Sequence, residues 1–160
     1  MDIPAKNIGV VTPDVLLGRD GLSFLRAIVD GTLPAPPMTQ TLGFDLVEVS
    51  EGRAVFRGSP GFGHYNPIGV VHGGYAATLL DSAVGCAVHS TLAKGEGYTT
   101  LELKLNLVRA ITKDTGRVSA EGRLLYRGRT VATAEGYLRD DGGKLYAHAT
   151  TTCMIFPAKE

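Results

Sequence analysis

The sequence predicts an α+β fold in which a long antiparallel sheet curls around one central helix, with a further helix on the N-terminal side. Three observations carry that prediction. Residues 73 to about 93 form a helical stretch that is apolar nearly all round, as a buried helix requires. Strand-like segments flank it, two before and four after. The later strands are joined by short glycine-containing turns, which make antiparallel neighbours. A sheet wrapped on one apolar helix satisfies all three patterns.

Taken in order, residues 1 to 13 read as a loose arm. Asp20 is placed to cap a short helix in which Leu22, Leu25, Ile28 and Val29 make one apolar stripe, with Gly31 as its stop. Pro34-Ala-Pro36-Pro37 breaks regular structure and reads as a linker. Phe44 to Val49 and Ala54 to Phe56 read as two strands around the Ser50-Glu51-Gly52 turn. A polar loop from Ser59 to Val71 follows, then the long helix, which the Lys94 to Gly97 turn ends.

From Tyr98 the periodicity switches to two. Leu101, Leu103, Leu105 and Leu107 alternate with Thr100, Glu102, Lys104 and Asn106, a half-buried strand. Three further strands are expected at about 115–126, 130–139 and 144–156, with Asp140-Asp-Gly-Gly143 a strong hairpin signal. The domain reading is an arm and short helix over residues 1–39, a main domain over 40–156, and a tail at 157–160.

Composition excludes several classes. Lys plus Arg and Asp plus Glu each number 16, so the formal net charge is zero and no basic stripe points to nucleic acid. No apolar run approaches the roughly 20 residues that cross a bilayer, and the start lacks a signal-peptide apolar segment. Cys86 and Cys153 lie in apolar surroundings with no CxxC spacing, which fits buried free thiols in a reducing cytosol. The histidines lack zinc spacing, and there is neither a GxGxxG nor a GxxxxGKS, so no metal or cofactor is expected.

The chemistry concentrates in His64-Tyr-Asn66-Pro-Ile-Gly69-Val-Val-His72-Gly73-Gly74 and the helix that it opens. Asp81 is the one carboxylate in that helix. An Asp on an apolar helix is costly to bury unless it is hydrogen-bonded or used. Glycine lets a ligand approach the backbone closely, and the first N–H groups of a helix lack intrahelical partners. They also carry the positive end of the helix dipole, which suits a developing oxyanion. Together these suggest acyl transfer or hydrolysis.

The combination His64-x-Asn66-x-x-Gly69-x-x-His72-Gly73-Gly74, with Asp81 eight residues after Gly73, resembles the hotdog-fold thioesterases. Its nearest likeness is to the PaaI-like and 4-hydroxybenzoyl-CoA thioesterase-like members, over roughly residues 40 to 156. The resemblance implies that Asp81 attacks an acyl-CoA thioester or activates the attacking water, and that the Gly73 N–H binds the carbonyl oxygen. It implies that Asn66 orients the water or the carboxylate, where the competing reading is a turn residue before Pro67. His72 and His64 either hold the loop or hydrogen-bond near the thioester, and Gly74 belongs to the same binding loop. Thr99 falls where a family hydroxyl positions water, and its parity matches the inward leucines; the alternative is a bond to a backbone carbonyl. Gly85 makes room for an acyl group or for close packing.

Coenzyme A, as part of the substrate, would meet exposed cations, with Arg109, Lys113, Arg127 and Arg129 as candidates. Gly73 and Asp81 lie about 12 Å apart along one helix, at ~1.5 Å per residue, too far to act on one carbonyl carbon. Both act on one thioester only if they come from two chains, so a homodimer is the expected catalytic unit; the resemblance adds a tetramer of two dimers. The rival readings are a hotdog hydratase or dehydratase, whose acid–base pair the loop fits less well, and a non-catalytic acyl-CoA sensor.

Overall fold

The computed structural model describes residues 7–158. Three short helices come first: α1 (Pro13–Leu17), α2 (Gly21–Val29) and α3 (Pro37–Leu42). Strands β1 (Phe44–Ser50) and β2 (Arg53–Gly58) precede the long helix α4 (Gly73–His89), and β3 (Glu96–Leu107), β4 (Val118–Arg127), β5 (Val131–Asp140) and β6 (Leu145–Pro157) follow it. The six strands form one sheet in the order β1-β2-β4-β5-β6-β3, antiparallel throughout. Passage through α4 carries the chain from one side of the sheet to the far edge. There β3 pairs with β6 and not with its successor β4.

Small residues on both partners let the sheet close on α4. Gly122 of β4 pairs with Gly136 of β5. A Cβ at Gly122 would lie 2.2 Å from the Ala83 carbonyl oxygen, and one at Gly136 would lie 2.8 Å from the Val84 side chain. Leu79, Leu80, Ala83, Val84, Ala87 and Val88 are consequently sealed off from solvent. Their burial, at ~25 cal/mol per Å² of apolar surface, is the main force holding helix and sheet together.

The N-terminal elements differ from expectation in two places. Of the loose arm, residues 1–6 lie outside the described residues, and the rest is tied down. The Gly9 N–H donates to Ala35 O at 3.0 Å and Ala35 N–H donates to Asn7 O at 2.8 Å. The proline run is also more than a linker, since Pro37 opens α3. A proline at the first helical position gives up an N–H that would have no partner and fixes φ for the helix. α2 forms as expected, with the Asp20 carboxylate accepting the Ser23 N–H at 2.9 Å and Gly31 at φ 81° beyond its end.

α4 stops at His89, short of the expected 93. Ser90 turns its hydroxyl back onto Ala87 O at 2.7 Å and accepts the Gly52 N–H at 2.8 Å, which ends the helix against the β1–β2 turn. Such back-bonding competes with the helical ladder.

Candidate active site

The loop before α4 is organised by its own side chains. His64 Nδ1 accepts the Gly61 N–H at 2.9 Å, and the His64 carbonyl accepts the His72 N–H at 2.8 Å. Asn66 Oδ1 accepts from Ile68 N at 3.1 Å and Val70 N at 3.2 Å, while Gly69 supplies the positive φ of 89° that closes the turn. The loop is stapled to the β3–β4 connection by Val71 N–H to Ile111 O and by Lys113 N–H to the Tyr65 hydroxyl, both at 2.9 Å. Asn66 is therefore a turn-former through its oxygen, and its amide NH₂ has no acceptor among the described residues.

His72 caps α4. Its Nδ1 accepts the Gly74 N–H at 2.9 Å, and its carbonyl accepts the Tyr75 N–H at the same distance. Between them, the Gly73 N–H has no acceptor among the described residues. A Cβ at Gly73 would lie 2.5 Å from Leu107 Cδ1, so glycine lets this N–H sit against the end of β3 without displacing the Leu107 side chain. Asn66, His72, Gly73, Ala76, Leu107 and Arg109 line one cleft of about 300 Å³. Arg109 is exposed at its rim, with Nε 3.3 Å from Leu145 O. On the other side of the His72 ring, His64, Tyr65, Tyr75 and Thr78 line a second hollow of about 430 Å³.

Asp81 lies about two turns along α4 from Gly73, outside the set of buried helix residues. The residue is solvent-exposed, yet burial of its carboxyl among apolar neighbours raises its pKa above the ordinary 3.8. It has no hydrogen-bond or ion-pair partner among the described residues, which removes a purely structural reading based on neighbouring loop N–H groups. It does not share the Gly73 cleft within one chain.

Four expected contributors stand elsewhere than the sequence suggests. The Gly74 N–H is consumed by His72, so it is not open to a substrate. Thr99 is on the outer face, opposite Met154, because β3 carries a bulge between Thr100 and Glu102 that reverses the parity. Thr100 is the inward hydroxyl, 4.0 Å from Cys153 Sγ. The space at Gly85 is taken: a Cβ there would lie 2.9 Å from the Tyr98 hydroxyl. Arg127 is held by Glu96 at 2.7 Å, at the opposite end of β3 from the cleft. Tyr98 and Thr100 were not singled out from the sequence; an aromatic and a hydroxyl at a strand start carry no signal without the bulge.

A family model of the thioesterase superfamily matches residues 68–147. A 1,4-dihydroxy-2-naphthoyl-CoA hydrolase of Listeria monocytogenes is 24% identical over 74% of this chain and 94% of that protein. Among solved structures, a phenylacetic acid degradation-related protein of Ralstonia eutropha is 33% identical, covering 81% of this chain and 98% of the other, with a TM-score of 0.73. A variant of the phenylacetic acid degradation protein PaaI of Thermus thermophilus is 28% identical, covering 74% and 97%, with a TM-score of 0.66. The chain belongs to the thioesterase superfamily, and its architecture is the hotdog fold.

Proposed function

We propose that this chain hydrolyses acyl-CoA thioesters in sites shared between two subunits of a homodimer. The observation that carries the reading is the pairing of two unsatisfied groups: the partnerless Asp81 carboxylate and the open Gly73 N–H. Neither group is engaged by the described chain, so each is open to a ligand, and the raised pKa of Asp81 suits a group that exchanges a proton or attacks.

In this reading the thioester carbonyl oxygen lies on the Gly73 N–H, at the positive end of α4. Asp81 of the other subunit either attacks the carbonyl carbon, forming a mixed anhydride that water then hydrolyses to free Asp81, or takes a proton from a water that attacks directly. The C–S bond breaks, the coenzyme A thiolate leaves and takes up a proton, and the products are a carboxylic acid and a free thiol. Water is the only co-reactant, so no metal or cofactor is required. In the same reading the Asn66 amide NH₂ orients the water, and Arg109 at the cleft rim meets coenzyme A phosphates.

Assembly is supported by the edge of the sheet. Among the described residues the far side of β3 has no neighbouring strand, and Leu101, Leu107 and Val108 on and beside it are more than half exposed. An unpaired edge with exposed apolar side chains is a template for another chain. A tetramer of two such dimers and a cytoplasmic location complete the proposal.

The test is thiol release from a panel of acyl-CoA and aryl-CoA thioesters, followed by mixing two inactive variants, Asp81→Asn and Gly73→Val. Random re-pairing leaves one intact site in each hybrid dimer and restores about a quarter of the wild-type rate. No thiol release by the wild type rejects the hydrolase reading, and no restoration on mixing rejects the shared site.

A further inference from the structure

Along one side of α4, Asp81, Gly85 and His89 follow one another at one-turn intervals. The chain closes this side progressively. At Gly85 the Tyr98 hydroxyl of β3 stands where a side chain would begin. One turn on, the His89 ring lies 5.5 Å from the Tyr98 ring and stacks on Phe24 of α2 at 5.3 Å with a 20° interplanar angle. Three rings from three elements thus form a wall across the helix on the C-terminal side of Asp81.

The wall is anchored. α2 is pressed against the end of α4: the Gly21 N–H donates to Leu92 O at 2.9 Å, and a Cβ at Gly21 would lie 1.7 Å from the His89 carbonyl oxygen. Burial lowers the His89 pKa to about 4, so at neutral pH the ring is uncharged and stacks as an apolar body. Burial holds the Tyr98 phenol well above its ordinary value, and the Asp81 carboxylate adds to the rise. The Tyr98 hydroxyl over Gly85 thus stands one helical turn from Asp81 on the same side of α4.

We propose that Tyr98, His89 and Phe24 end the acyl-binding space of the site. Resting on the catalytic reading above, this restricts the substrate to acyl groups that extend about one helical turn, ~5.4 Å, past the carbonyl carbon. Such groups are short aliphatic chains or a single ring. Phe24 lies outside residues 68–147, so the N-terminal segment supplies part of the specificity.

The experiment is kcat/KM for straight-chain acyl-CoA thioesters from butanoyl to dodecanoyl, with the wild type, Tyr98→Ala, Tyr98→Phe and Phe24→Ala. Thermal melts establish that each variant folds. We expect the wild type to lose about tenfold between hexanoyl and decanoyl. Tyr98→Ala raises the decanoyl-to-butanoyl ratio by about tenfold, and Tyr98→Phe, which keeps the ring, leaves it within about threefold. Should Tyr98→Ala not fold, Phe24→Ala gives the same readout in the same direction. A wild type that prefers dodecanoyl, or a folded Tyr98→Ala with an unchanged ratio, overturns the wall. If the wild type releases no thiol from any thioester, the hydrolase reading fails by itself. The wall is then read from binding of non-hydrolysable butyl and decyl thioethers of coenzyme A: tighter butyl binding that Tyr98→Ala abolishes supports it, and equal binding overturns it.

Discussion

The His72 Nδ1 accepts the Gly74 N–H over 2.9 Å, and that bond decides which amide at the start of α4 is left for a ligand. With Nδ1 accepting, the neutral ring carries its proton on Nε2. Gly74 is satisfied and Gly73 is not, so of two adjacent glycines it is Gly73 that the proposed function takes as the oxyanion donor.

It follows that His72→Ala removes a helix cap and loosens the donor together. We expect a loss of about 1 kcal/mol in urea unfolding and a fall in kcat/KM of about tenfold or more. His72→Asn, which caps a helix well, recovers the stability. A His72→Ala protein as stable as the wild type contradicts the cap.

Asp81 offers a separation of stability from activity. Its folded pKa lies above the ordinary 3.8, so the folded state holds this proton more tightly than the unfolded chain. Its favourable contribution is complete below about 3.8 and is lost as pH rises through the raised value. Asp81→Asn is therefore expected to raise Tm at pH 7, with the gain vanishing towards pH 3, while thiol release falls by about a hundredfold or more. A lower Tm at pH 7 overturns the sign.

How far the sequence discloses this arrangement depends on where periodicity holds. The start and apolar character of α4, the β1–β2 turn and the Asp140 to Gly143 hairpin are all legible, because each is a local pattern with one physical meaning. The parity of β3 is not. A single residue inserted at Leu101 flips every side chain before it, placing Thr99 outside and Thr100 inside, and no residue type at the bulge announces it. Gly73 and Gly74 look equivalent as letters, and only the reach of the His72 ring separates them. The proline run illustrates the same point, since Pro37 both ends a linker and begins a helix.

Tyr75 is buried, and its hydroxyl has no partner among the described residues. Burial pushes the phenol to about 12. An unsatisfied buried hydroxyl costs about 1–3 kcal/mol, so Tyr75→Phe is expected to stabilise the fold by about 1 kcal/mol in urea unfolding. A loss of stability shows that the hydroxyl is bonded in solution.

His89 is expected to cost the fold stability between pH 7 and pH 4. Its folded pKa is about 4 against an ordinary 6.5, so between these values the unfolded chain binds the additional proton. Stability is then full above about 6.5 and falls as pH drops through the folded value near 4. The difference corresponds to about 3 kcal/mol at 1.36 kcal/mol per unit. Asp81 works in the opposite sense, gaining stability as it protonates, so the measurement is best made in the Asp81→Asn background. There, urea unfolding at pH 7 and pH 4 should differ by most of that amount. Adding His89→Phe, which keeps a ring between Phe24 and Tyr98, should flatten the dependence. If the slope survives the loss of the imidazole, another group causes it, and the neutral stack at the end of α4 is not what low pH breaks.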